Sequence, residues 1–116
     1  MSLRILHVLD HSIPLHSGYT FRTLSILREQ HRLGWDTFQL TTPKHGHGAA
    51  LQETHEGLRF YRTPSPADAG LLAQMRLTAR RIAEVVQQVR PHIIHAHSPV
   101  LNALPSLWVG YRQRLP

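Results

Sequence analysis

Apolar residues fall along this chain in two kinds of run. Over 3–10, LRILHVLD, the residues Leu3, Ile5, Leu6, Val8 and Leu9 occupy both parities. Successive strand side chains point to opposite faces, so this run predicts a strand covered on both sides. Residues 11–18, HSIPLHSG, carry Pro14 and Gly18 and read as a loop. Over 19–33 the apolar positions are Phe21, Leu24, Ile26, Leu27 and Leu33, with Arg22, Arg28, Glu29 and Arg32 elsewhere. That spacing predicts a helix, and Gly34 stands where a helix C-terminal glycine belongs.

Residues 35–43, WDTFQLTTP, have strand composition and stop at Pro43. The stretch 44–57, KHGHGAALQETHEG, lacks periodicity and contains three glycines, which predicts a surface loop. LRFYRTP, 58–64, alternates Leu58, Phe60 and Arg62 against Arg59, Tyr61 and Thr63, as a half-exposed or edge strand would. The clearest helix is 67–90. Leu71, Leu72, Met75, Ala79, Ile82, Val85, Val86 and Val89 mark one face, Arg76, Arg80, Arg81, Glu84 and Gln87 the other, and Pro91 ends it. HIIHA, 92–96, is a short apolar strand. Ser98-Pro99 is an N-cap followed by proline at the first helical position, opening a helix over 100–114 in which Pro105 forces a kink or a restart.

The order strand–helix–strand–strand–helix–strand–helix specifies an α/β layer fold around a mainly parallel sheet. The chain is read as a single domain over 1–116. It ends on YRQRLP after a helix, where a new strand is expected, and so reads as part of a larger α/β protein.

Composition narrows the function classes. Hydrophobic content of 41% and charged content of 17% suit a globular chain. There is no cysteine, which excludes disulfides and thiolate metal sites. No apolar run approaches the roughly 18–20 residues of a membrane span, and the start MSLRILHVLD lacks a small-residue cleavage site. The formal charge is +6, and of 13 basic residues all but Lys44 are arginine. Such a domain favours polyanions: nucleic acid, phosphorylated small molecules or anionic lipid head groups.

In open α/β sheets ligands bind at the C-terminal ends of strands, where strand order reverses. Two segments meet that condition, Asp10–Thr20 and His95–Ser98, and the first and fourth predicted strands should be neighbours there. Ser17, Gly18, Tyr19 and Thr20 open a helix, whose free N–H groups and dipole favour a phosphate. Neither a dinucleotide fingerprint nor a P-loop is present, and no nucleophile elbow supports a Ser-His-Asp site. The alternative is a loop glycine needed only for its backbone angles.

HIIHAHSP, 92–99, holds three histidines. On a strand, His95 and His97 share a face and His92 points away. A zinc site needs three or four donors, and with no cysteine and only Asp10 nearby as carboxylate, no metal is expected. The KHGHG loop is read likewise as polar. His95, inside the strand, suits a structural role. His97, at the strand tip, suits a ligand, since a neutral or protonated imidazole bonds a sugar hydroxyl or phosphate near pH 7.

Together these segments resemble the N-terminal domain of retaining glycosyltransferases of the GT-B fold, family 4. The likeness runs through RILHVLDHSIPLHSGYTFRTLSILREQHRLGWDTFQLT, GLRFYRTP and RPHIIHAHSP in order. HVLDHSIPLHSGYTFRT and HAHSPVLNALPSL are similar to a bacterial subgroup associated with exosortase and exopolysaccharide gene clusters. The resemblance implies a Rossmann-like three-layer domain, the acceptor-side half of a two-domain enzyme whose other half grips a nucleotide-sugar donor. It implies a glycan or lipid-linked acceptor, a cytoplasmic location and no metal, because helix N-termini and basic groups offset the diphosphate charge. His97 matches the histidine that contacts the transferred sugar, and Gly18 the second glycine of the loop near the diphosphate. Ser17 replaces the first glycine, where a hydroxyl could donate instead. Tyr19, Thr20 and Ser98 complete the binding set, with His16, Asp10 and His95 as secondary candidates. The arginines Arg22, Arg28, Arg32, Arg76, Arg80 and Arg81 are candidates for peripheral contact with anionic membrane. The alternative is a basic α/β module binding nucleic acid or a phosphate ligand without catalysis. Scattered arginines and the lack of an aromatic stacking series speak against nucleic acid.

Overall fold

The computed structural model describes residues 2–12, 17–45 and 50–116. Five strands form one sheet, β1 (Arg4–Leu9), β2 (Asp36–Thr41), β3 (Gln52–His55), β4 (Leu58–Arg62) and β5 (Ile93–Ala96), in the order β3-β4-β2-β1-β5. The strands β4, β2, β1 and β5 run parallel, and β3 is antiparallel to β4. Helix α1 (Gly18–Arg32) packs on one face, and α2 (Leu71–Val89) and α3 (Leu104–Gln113) on the other. This is the Rossmann-like α/β arrangement expected of the N-terminal half of a GT-B fold.

The alternation along β1 assigns the two cores. Leu6 and Val8 join Leu40, Tyr61, Ile82, Val85, Val86 and Val109 beneath α2 and α3. Leu9 joins Leu24, Leu27, Leu58 and Phe60 beneath α1. With β1 interior, between β2 and β5, the strand predicted to be covered on both faces is so covered. Gly34, at φ +83°, takes the left-handed position after α1, and the N–H of Trp35 closes back onto the Gln30 carbonyl.

Several expectations are corrected. The segment 44–57 is not all loop, because it contains β3. Gln52, Glu53, Thr54 and His55 give no apolar alternation, so the strand has no hydrophobic signature. A two-residue turn instead holds it to β4, with Glu56 and Gly57 both at positive φ, as a type I′ hairpin requires. In consequence β4 is not an edge strand. Arg62 and Tyr61 are both buried, on opposite faces. Helix α2 begins at Leu71 rather than 67, after a turn in which the N–H of Ala69 donates to the Pro66 carbonyl. Its apolar stripe is buried only at its C-terminal half, and Leu71 and Leu72 are exposed. Phe21 and Leu33 of the α1 stripe are exposed too, while Thr20 and Thr23 are buried in their stead. The helix expected over 100–114 is divided. A π-helical turn, Pro99–Ala103, precedes α3, so Pro105 enters at a helix start where its missing N–H is not needed.

Arg62 is 2% exposed, and its Nε donates to Glu53 Oε2 at 2.7 Å. Its Nη1 also donates to Thr41 Oγ1 at 3.3 Å, so β3, β4 and β2 are tied by one guanidinium. Breaking a buried pair from one side costs about 3–5 kcal/mol. Glu53→Ala is expected near the lower end, about 3 kcal/mol, because Thr41 still accepts from the guanidinium. Urea unfolding at pH 7 checks this, and a loss below about 1 kcal/mol would show the pair to be no stronger than a surface one.

Candidate functional site

The parallel pairing of β1 with β5 brings the two expected segments together at the C-terminal end of the sheet. Tyr19 joins them. Its hydroxyl accepts from the Asp10 N–H at 3.0 Å and from Ser98 Oγ at 3.2 Å. The turn after β5 is fixed by Asn102, fully buried, whose Oδ1 accepts from the Ser98 N–H at 2.7 Å while its Nδ2 donates to Asp10 Oδ1. Asn102 was not legible as a site residue, since one asparagine in an apolar helix carries no motif.

His7 and His95 are in register on adjacent strands, and His97 follows two residues on, so all three project on the α1 face. Their rings form a cluster, with centroids 5.1 Å apart for His7–His95 and for His7–His97, and 4.1 Å apart in the stacked pair His95–His97. The structural role expected of His95 belongs to His7, which is fully buried, whereas His95 is exposed. The signal for His7 was present, a polar residue inside a run otherwise apolar on both faces. His92 points elsewhere, its Nδ1 accepting from the Arg4 N–H at the strand start.

Hydrogen bonding sets the tautomers. Gln30 Oε1 can only accept, so His7 Nε2, 2.7 Å away, carries a proton. A neutral His7 then has a bare Nδ1, which accepts from His97 Nε2 at 2.9 Å. The remaining His97 nitrogen, Nδ1, is left as an acceptor. Both rings are held neutral. Burial, opposed by the bond to Gln30 and aided by His95, pushes His7 down to about 4. Burial followed by His95, His7 and Arg22 pushes His97 down to about 3. His95 is lowered too, by desolvation and then by the Arg22 charge. At pH 7 the cluster offers a hydrogen-bond acceptor and no positive charge. His97 therefore suits a hydroxyl donor and not a phosphate. The nearby cation is Arg22, whose guanidinium lies 5.8 Å from the centroid of the Tyr19 ring.

The helix start is organised differently from expectation. Ser17 is the N-cap of α1, its Oγ accepting from the Thr20 N–H at 3.0 Å and lying 2.8 Å from His11 Nε2. Its hydroxyl is thus engaged in capping. Thr20 is buried against it. The N–H groups of Gly18 and Tyr19 have no acceptor among the described residues. Gly18 needs glycine neither for its φ nor for room, since nothing lies within 4 Å of where a Cβ would stand. The space above it is open to an approaching group. Gly18→Ala is therefore expected to leave stability unchanged or raised by up to about 1 kcal/mol and, where the approaching group is the anionic part of a substrate, to reduce kcat/KM about tenfold. Thermal unfolding and initial rates on one preparation separate the two. An unchanged rate would return Gly18 to a plain loop residue. His16 lies outside the described residues, as does most of the KHGHG loop.

One nitrogen from each of His7, His95 and His97 lies within 4.8 Å of the others, so a metal site is geometrically open to them. The third donor is His7 and not Asp10, whose carboxylate bonds Asn102 and lies 3.8 Å from Lys44 Nζ. An all-imidazole set suits zinc-like ions, whereas magnesium or manganese on a diphosphate prefers oxygen ligands.

The family described as glycosyl transferase 4-like domain matches residues 17–116. The matched segment contains α1, His95 and His97, and β1 with His7 precedes it. No curated protein matches the chain.

Proposed function

The chain belongs to the glycosyl transferase 4-like family, and we propose that it is the acceptor-side domain of an enzyme that moves a sugar from a nucleotide-sugar donor, with retention, to a glycan or lipid-linked acceptor. The reading extends to exopolysaccharide or cell-envelope glycan synthesis in a bacterium, at the cytoplasmic side of the membrane. A second domain grips the donor nucleotide, and this one closes over the sugar and diphosphate. His97 accepts a hydrogen bond from a hydroxyl of the transferred sugar through Nδ1. The free N–H groups of Gly18 and Tyr19, with the dipole of α1 and the charge of Arg22, face the diphosphate. No metal enters, because the task is met by fixed donors and the candidate ligand set is wrong for a diphosphate-bound ion.

The observation that carries this reading is the His7–His97 bond, which leaves one neutral nitrogen bare at the end of a parallel strand beside an open helix start. The basic-module alternative has less support, since Arg28 and Arg32 are paired with Glu56 and Glu29, and the arginines are divided between both faces of the sheet. The test is calorimetric titration with nucleotide sugars, on this chain alone and on the two-domain enzyme. Donor binding is expected only with the second domain. Tight binding by this chain alone would overturn the division of labour.

A further inference from the structure

Three imidazoles meet where the proposed function uses one. His7 is fully buried, His97 is half-buried and His95 is exposed, so the cluster runs from the core to the surface where β1 and β5 end. One nitrogen from each ring lies within 4.8 Å of the other two, and one pair, His7 Nδ1 and His97 Nε2, is 2.9 Å apart. Four-coordinate zinc, with its nitrogens at about 2.0–2.1 Å, sets them about 3.3 Å from one another, between those two distances. His7 needs no change to serve. Its Nδ1 is bare because its Nε2–H is donated to Gln30 Oε1, the kind of outer hydrogen bond that fixes the tautomer and orientation of an imidazole ligand. His97 serves through Nε2 once its proton moves to Nδ1, a change of tautomer with no net gain or loss of protons. The His95 ring is stacked on His97 with an interplanar angle of 17°, so an ion shared by the two requires it to turn out of the stack. That ring is exposed, and the last torsion of histidine is broad, so the turn costs little.

We propose that His7, His95 and His97 form a binding site for a zinc-class divalent ion, and that loading it switches off the sugar-facing nitrogen of His97. Zinc, copper and nickel take imidazole, whereas magnesium and calcium prefer oxygen. The carboxylate at this end of the sheet, Asp10, is engaged by Asn102 and Lys44. Three rings leave a fourth position, for which the positive charge of Arg22 beside them favours hydroxide or chloride over neutral water. Coordination through Nε2 leaves His97 with its proton on Nδ1, a donor where the free site has an acceptor. A sugar hydroxyl placed to donate there meets another donor, so the ion opposes transfer rather than serving it. The metal site stands on the three rings alone. The switching rests on the role proposed for His97, and the two are tested separately.

Zinc chloride is titrated into the full chain, free of any histidine tag, at pH 7.5 and followed by calorimetry. One tight site is expected, and cobalt(II) in its place should give the visible absorption of a four-coordinate ion. His95→Ala alters an exposed ring and should lower zinc affinity at least about a hundredfold, and Gln30→Leu should lower it about tenfold by freeing the His7 tautomer. His45→Gln with His47→Gln, in the KHGHG segment, should change it less than about threefold, since neither supplies a ligand. Affinity unmoved by His95→Ala, or lowered equally by the 45/47 pair, would overturn the site. Zinc added to the two-domain enzyme should lower the rate of sugar transfer at least about tenfold, EDTA should restore it, and the 45/47 pair should stay as sensitive as the parent. If zinc binds through His95 and the rate does not fall, the switching is overturned together with the acceptor role of His97, and the metal site stands.

Discussion

Replacing His97 with alanine in the two-domain enzyme proposed above is expected to lower kcat/KM by about 10²–10³, the usual loss when one preorganised hydrogen-bonding group is removed from a transition state. Most of the loss should fall on kcat, with the donor KM little changed, if the nucleotide is held by a second domain as proposed above. The fold should survive, since His97 is only half-buried and the core lies deeper in the sheet. His97→Gln should recover part of the rate, because an amide oxygen also accepts from a hydroxyl. The relay behind His97 is tested separately. Gln30→Leu removes the acceptor of the His7 Nε2–H and frees both tautomers. A loss of about tenfold in kcat is then expected, in the manner of an outer partner that orients a working imidazole. If His97→Ala left kcat/KM intact, the role given to its Nδ1 would be wrong. If Gln30→Leu alone had no effect, the ring would be positioned by packing and not by the bonded chain.

That relay explains which parts of the site were legible. The pairing of the first strand with the HIIHA strand, and the common face of His95 and His97, follow from strand periodicity and the parallel order alone. Both are observed. The third histidine was not found, because register between β1 and β5 decides that His7 stands opposite His95, and register is a tertiary fact. Asn102 is invisible for a similar reason, since it meets its partners Ser98 and Asp10 only through the π-helical turn Pro99–Ala103. In the fold, strands with an apolar pattern were read well. The strand β3 escaped because a polar edge strand is specified by its turn and its partner, and Glu-Gly is a weak hairpin signal beside Asn-Gly. Helix faces were misjudged where threonine is buried and leucine is not, at Thr20, Thr23 and Thr78 against Leu71 and Leu72. The buried threonines return their hydroxyls to groups nearby, Thr23 to the Thr20 carbonyl and Thr78 to the Gln74 carbonyl, so burial leaves them satisfied.

The same neutral histidines should make the domain acid-labile well above the range where carboxylates titrate. In the folded state His7 takes a proton only near pH 4 and His97 only near pH 3, against 6.5 when unfolded. Below 6.5 the unfolded chain therefore binds more protons than the folded one, and stability falls as pH falls. The contribution is fully present above about 6.5 and is lost progressively down to the folded values. For fully buried His7 the slope approaches about 1.4 kcal/mol per pH unit, on the order of 3 kcal/mol by pH 4. His97 is half-buried, so solvent screening reduces its share. A small domain has only about 5–15 kcal/mol in total, so a loss of this size is a large share of it. Urea unfolding at pH 7.5, 6.0, 5.0 and 4.5 should thus show a midpoint that drops steeply below pH 6. His7→Gln keeps a polar group at the position and removes one titration, so its stability should be lower at pH 7.5 yet decline less steeply. Parallel profiles for the two proteins would mean that the buried histidine is not held neutral. A midpoint that rose on acidification would reverse the sign on which the neutral His97 acceptor depends.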